Sequence, residues 1–201
     1  ERAKGIPDTI SFGNDFDIMK PGYEWALHSL SPKHHDEVED RILVGNSQCS
    51  QPYSASRLNI SALSYGALSK NAIQALNLGA KMGGFCHNTG EGGLTKYHMH
   101  GGDIVLQVAT AYFGFRTEYG NFDPEKFKEK ALLPNVKMIE IKLSQGAKPA
   151  HGGMLPKEKI TPEIAEIRGV GMDKDVISPP THKAFSTPIG LCEFIKQLRE
   201  L

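Results

Sequence analysis

Three stretches of the chain gather polar and charged side chains between glycines. The longest, EIKLSQGAKPAHGG from Glu140 to Gly153, carries Lys142, Gln145 and Lys148 in a run that begins like a strand and dissolves into glycine and proline. HNTGEGG, from His87 to Gly93, offers Asn88 and Thr89 as hydrogen-bonding groups and Glu91 as an acid flanked by glycines, hence sterically open. SALSYGALS, from Ser61 to Ser69, supplies hydroxyls and a glycine ahead of a helix start, where backbone amides favour an anion or a carbonyl oxygen. Two lysines and a glutamine that converge suit an anionic ligand or an electron-rich ring. Each stretch also has a plainer reading. Glu91 reads as an exposed loop glutamate, Ser69 as a helix cap, and Glu140 with Lys142 as a charge pair in water on an edge strand.

Weaker candidates surround these. His98 and His100 have metal-ligand chemistry but no third ligand at a matching spacing, and read as surface residues. Cys86 and His87 are adjacent on a strand and point to opposite faces, so they cannot form a nucleophile–base dyad. Cys86 reads as a small buried side chain, and Tyr112 and Phe113 as core.

The elements that position the three stretches alternate strand and helix. RLNISALS, FCHN, DIVLQV and VKMIEIKLS read as strands. SKNAIQALNLGAKMGG reads as a helix capped by Ser69 and ended by Gly83-Gly84, with Ala72, Ile73, Leu76 and Ala80 on one face. DPEKFKEKAL is opened by Asp123 and Pro124, TPEIAEIRG by Thr161 and Pro162, and the closing helix by Thr187 and Pro188, with Leu191, Phe194, Ile195 and Leu198 on its apolar face. Between the fourth strand and about residue 156 the chain reads as loop. Residues 1–55 read as an irregular lead-in arm, and 56–201 as one α/β domain with parallel strands.

Polar, glycine-rich loops follow the strands, which favours a (β/α) barrel of the TIM type over a doubly wound sheet. There is no GxGxxG, GxxxxGK[ST] or GxSxG. About four βα units are legible, so only about the first half of an eight-unit barrel is present. In such a barrel Ile139, Ile141 and Leu143 meet the helices, and Met138, Glu140, Lys142 and Ser144 face the interior. A lysine there, if it lies near a flavin, can stabilise negative charge as the ring is reduced.

Composition narrows the class. Twenty-three basic and 23 acidic side chains leave a formal net charge of zero, which argues against nucleic-acid or membrane-surface binding driven by bulk charge. No apolar run approaches the roughly 18 residues of a membrane span. Nothing in the opening residues reads as a secretory signal. Cys49, Cys86 and Cys192 are widely spaced and odd in number, which fits free thiols in a reducing, cytoplasmic setting. The start at Glu1 and the helix running to Leu201 suggest a piece of a longer protein.

The three motifs in this order, SALSYGALS, HNTGEGG and EIKLSQGAKPAHGGMLP, resemble the FMN-binding synthase domain of glutamate synthase. The likeness runs from about Tyr53 to the end, and QCSQPYSASRLNIS looks most like the stand-alone FMN-binding members of that family. The resemblance implies a (β/α)8 barrel that holds FMN and reduces 2-iminoglutarate, made from 2-oxoglutarate and ammonia, to L-glutamate. It places Ser61, Ala62, Ser64 and Gly66 by the FMN ring, with Asn88, Gln107 and Gln145 completing the cofactor side. It makes Lys142, Lys148 and Glu91 the catalytic candidates. It also implies an electron donor and a 3Fe–4S cluster whose cysteines lie beyond Leu201.

Two positions depart from the family pattern. TAYFG puts Tyr112 where the family carries the arginine of SGRFG, and Met154 replaces a glutamine. A tyrosine cannot replace a bidentate guanidinium on a dicarboxylate. Two alternatives therefore stay open: a flavin oxidoreductase acting on another imine or keto acid, and a non-catalytic half-barrel that needs a partner or pairs with itself across its open strand edge.

Overall fold

The computed structural model describes residues 17, 19–34, 37–144 and 152–201. These fall into two compact units, one up to Glu39 and one from Asp40 to Leu201. In the first, the described residues turn at 19–22 and are otherwise largely irregular, with the Tyr23 and Trp25 rings 5.2 Å apart.

The second unit opens with an antiparallel hairpin, β1 (Arg41–Val44) and β2 (Tyr53–Ser56). This corrects the irregular arm expected there. Gly45, at φ 117°, and the Asn46 side chain, which accepts from Gln48 N at 3.0 Å, turn the chain back on itself. The next segment was expected as a strand over RLNISALS, yet it joins the sheet only at Ile60, which bridges His87 in parallel. The Ser56 hydroxyl accepts from Leu58 N, and Asn59 Nδ2 donates to the Ser56 carbonyl, so local side-chain bonds replace the ladder there.

Helix α1 (Lys70–Gly83) follows, capped by Ser69 and closed by Gly84 in the left-handed region. It leads to a parallel sheet of β3 (Cys86–Asn88), β4 (Asp103–Val108) and β5 (Val136–Ile141), in that order. The β3–β4 crossover, read as a glycine loop, contains two short 3₁₀ turns. Helix α2 (Pro124–Ala131) joins β4 to β5, with the Asp123 carboxylate accepting from Lys126 N. Beyond β5, the two-residue strands β6 (Met154–Leu155) and β7 (Val176–Ile177) pair antiparallel, where a plain loop was expected up to about residue 156. Two residues are too few to show a strand period. Helices α3 (Pro162–Arg168) and α4 (Pro188–Glu200) begin at Thr161 and Thr187, as their sequences predict. The fold is thus mixed α/β on a parallel sheet.

The strands sort their side chains as alternation requires. Ile104, Leu106 and Val108 turn one face of β4 into a core with Tyr112, Phe115, Phe127 of α2 and Phe194 of α4. Phe122 packs edge-on against Phe115 and Phe194, with centroids at 6.2 and 5.1 Å. Each such aromatic pair adds about 0.5–1.5 kcal/mol beyond area burial. A second core under α1 and α3 joins Ile73, Tyr65, Tyr97 and Ile164. Asn77 of α1 is also buried, and its Oδ1 accepts from His100 N at 2.9 Å and Gly102 N at 3.1 Å. The opposite face of the sheet carries Cys86, Asn88, Val105, Gln107, Met138 and Glu140, and this polar face holds the candidate site.

Candidate functional site

The two ends of the polar face differ. At the N-terminal ends of the strands, Tyr53 of the hairpin donates to Asp103 Oδ2 at 2.6 Å, and Cys86 Sγ reaches the Tyr53 hydroxyl at 3.4 Å. Burial and the Asp103 carboxylate push the Tyr53 phenol far above its usual range, so it stays a neutral plug. Cys86 is buried with its thiol pushed up, which makes it a packing residue and an unreactive one.

Toward the C-terminal ends the face becomes a hydrogen-bonded ladder across three strands. Asn88 Nδ2 of β3 donates to Glu140 Oε1 at 3.0 Å, and Gln107 Nε2 of β4 donates to the same oxygen at 2.5 Å. Register explains the meeting, since Asn88 lies opposite Val105, two residues before Gln107, and Gln107 lies opposite Glu140. Asn88 Oδ1 also accepts from Gly90 N, which fixes the glycine loop that carries Glu91. Gln107 Oε1 is buried and has no hydrogen-bond partner.

Just past the end of β5, Lys142 N donates to the Val108 carbonyl, which prolongs the ladder. The Lys142 ammonium lies 3.6 Å from Glu91 Oε2, and both side chains are mostly buried. The two catalytic candidates that the structure describes are therefore neighbours, supplied by the segments that follow β3 and β5. A cavity of about 700 Å³ is lined by Ser61, Ala62, Asn88 and Glu140, among others. A smaller one of about 80 Å³ is lined by Ser64, Glu91, Met154 and Arg168. Gly66, at φ 100°, lies beside Arg168, where a Cβ would come within 3.3 Å of Nη2. Gln145 and Lys148 lie outside the described residues.

Other readings change with the structure. Tyr112 is fully buried in the core, with its hydroxyl 3.0 Å from His182 Nδ1 and accepting from Ala184 N at 3.1 Å. It holds φ 53°, the one left-handed non-glycine among the described residues. His182 Nε2 in turn reaches the Lys142 carbonyl at 2.8 Å. Tyr112 thus props the backbone of Lys142 from behind the sheet. Met154 is 61% exposed. His98, expected on the surface, is fully buried, because it closes a capping box with Thr95 and packs against His87 at 5.1 Å. Burial lowers the His87 imidazole to about 4 and that of His98 to about 3, so both are neutral.

Sequence reasoning missed Arg168 and His182. Arg168 reads as an ordinary last-turn cation before the Gly169 cap, yet it is 4% exposed and donates to the Tyr65 carbonyl at 3.0 Å. His182 sits in a Pro- and Thr-flanked loop without periodicity, so nothing local marks it.

Comparison with known proteins assigns the chain to a family. Residues 27–201 match the family model described as the conserved region in glutamate synthase. The chain is 40% identical over 197 residues to the glutamate synthase large subunit-like protein YerD of Bacillus subtilis strain 168, covering 96% of this chain and 37% of that protein. It is 38% identical over 142 residues to an archaeal glutamate synthase [NADPH] of Methanocaldococcus jannaschii, covering 70% of this chain and 25% of that one. It is 33% identical over 150 residues to a glutamate synthase [NADPH] large chain of Bacillus subtilis, covering 71% and 9%. The chain therefore spans about a third or less of the curated relatives it matches, and it belongs to the glutamate synthase family through their conserved region.

Proposed function

We propose that this chain supplies the first half of a (β/α)8 barrel that binds FMN, and that the complete protein is a glutamate-synthase-type oxidoreductase that reduces 2-iminoglutarate to L-glutamate. The observation that carries this reading is the junction of the Asn88–Gln107–Glu140 ladder with the Glu91–Lys142 pair at the C-terminal ends of parallel strands. Active sites of barrels sit at that end.

The residues fit a flavin on one specific count. Gln107 Oε1 is a buried acceptor without a partner, and an isoalloxazine edge offers an N–H donor. Ser61, Ala62 and Asn88, which line the larger cavity, complete the cofactor side, and Ser64, Gly66 and Gln145 keep the cofactor role that the family resemblance implies. FMN, when bound, supplies hydride chemistry. The chain's own residues then have three tasks. Lys142 and Lys148 hold substrate carboxylates or offset negative charge on the ring side. The Glu91–Lys142 pair delivers a proton to the substrate nitrogen as the imine carbon is reduced. The Tyr112–His182 bonds fix the backbone on which Lys142 stands. An electron donor completes the cycle, and we assign any 3Fe–4S cluster to sequence beyond Leu201.

A second reading concerns the substrate alone. Tyr112 is buried and bonded to His182, so its position brings no polar group to a dicarboxylate, and Met154 brings an apolar one. This favours an imine or keto acid smaller or less charged than 2-iminoglutarate. The test is anaerobic reduction of the full-length protein followed by 2-oxoglutarate with ammonium. Formation of L-glutamate, lowered about 10²-fold or more by Lys142→Met, supports the first reading. Reoxidation by another keto acid with ammonium, but not by 2-oxoglutarate, supports the second. No reoxidation by any imine or keto acid contradicts both.

A further inference from the structure

A second cavity, of about 390 Å³, lies away from the ladder, between the loops after β3 and β4 and helices α2 and α3. Its volume lies within the small-ligand range. Five cations line it: Lys96, Arg116, Lys126, Lys130 and Arg168. The only acidic side chains on the lining are Glu163 and Glu166, so five positive charges face two negative ones.

Half of that negative charge is already engaged, by Lys96, itself one of the five cations. Glu163 accepts from Tyr65 at 2.7 Å and from Tyr97 at 2.9 Å, and pairs with Lys96 at 2.8 Å. These partners hold its carboxyl down at about 2. Outside the lining, Asp123 pairs with Lys126 at 3.5 Å. Arg116, Lys130 and Arg168 make no ion pair among the described residues.

The groups that Lys130 and Arg168 hydrogen-bond are neutral, while Glu129 and Glu91 act on them only through their charge. Lys130 Nζ donates to the Gly114 carbonyl and Arg168 Nη2 to the Tyr65 carbonyl. Both guanidinium groups lie over the Phe113 ring, at 5.7 and 5.0 Å. Nε of Arg116 and Nε of Arg168 are buried without a partner, although Arg168 is only 4% exposed. Glycine keeps the space open, since a Cβ at Gly114 would come within 3.1 Å of Lys130 Nζ. Like charges drawn together with desolvated, unbonded N–H groups repel one another unless an acceptor of opposite sign sits between them.

We infer that this cavity is a binding site for a small multivalent oxyanion, distinct from the larger cavity proposed for the flavin and sharing Arg168 with the small one that holds Glu91. Guanidinium groups bind carboxylate and phosphate oxygens as forked donors, and ammonium groups add point charge. Phosphoryl and carboxylate compounds share this chemistry, and the test separates the two sources.

The full chain as purified is titrated calorimetrically with sodium pyrophosphate and, separately, with citrate, at an ionic strength fixed by chloride. Saturable binding is expected in at least one arm, and the arm that responds identifies the source. Lys130→Met and Arg116→Gln each weaken it about tenfold or more, and Lys126→Gln, on the exposed face of α2, weakens it without touching the core. No saturable heat in either arm overturns the inference. So does binding of equal strength in the wild type and all three variants, which would place the anion elsewhere.

Discussion

The residue with the sharpest local consequence is His87. Its imidazole and that of His98 are fully buried, and His87 Nδ1 and Nε2 and His98 Nε2 have no partners. Both pKa values are lower in the folded chain than the ordinary 6.5. Below 6.5 the unfolded chain therefore binds protons that the folded chain does not, and stability falls as pH falls. For His87 the loss runs from about pH 6.5 to about 4 and reaches roughly 3 kcal/mol. Denaturant unfolding at pH 7.5 and 4 measures it, and His87→Phe reduces the dependence to the part that His98 contributes. Tyr112 gives a second prediction at this scale. Tyr112→Phe strips the partner from the Ala184 amide and from His182, at a cost of about 1–3 kcal/mol in the same assay. Neither residue's role was legible beforehand. Sequence places Tyr112 in the core and His98 on the surface, and only tertiary packing pairs His98 with His87 and gives the Tyr112 hydroxyl its partners.

At the scale of elements the chain is far more readable. Ser69, Asp123, Thr161 and Thr187 each cap the helix that their neighbours predict, because capping chemistry is local. Thr161→Ala is expected to cost about 1 kcal/mol, and thermal melting checks it. Alternation in VKMIEIKLS also sorts Glu140 onto the same face as Lys142, and register then brings it to Gln107 and Asn88. What failed was the edges: RLNISALS shrinks to one bridge, and the hairpin at Arg41–Ser56 appears in a stretch that read as irregular. Short strands carry too few residues for a period, and their pairing depends on partners distant in sequence. The ladder yields its own prediction. Gln107→Leu removes the buried acceptor and weakens FMN binding about three- to tenfold in a fluorescence titration, with the fold intact by circular dichroism.

For the molecule as a whole, β5 is the last strand of the three-stranded sheet, and Ile139 and Ile141 line an apolar groove with Ile195 and Leu198 of α4. In the barrel we propose, a further parallel strand lies in that groove. The chain's 37% share of YerD leaves room for such units in the relative. Among the described residues no helix is long and apolar enough to cross a membrane. The glycine motifs made the family legible, because glycine loops at strand ends are local in sequence. The oxyanion cavity was not legible, because Lys96, Arg116, Lys130 and Arg168 come from four separate segments that only the fold assembles. The central claim is that the polar face of the parallel sheet holds a flavin. It is tested most directly by the visible absorption spectrum of the full-length protein. The account predicts flavin bands, with FMN released on denaturation. A colourless protein that also fails to take up added FMN would contradict it.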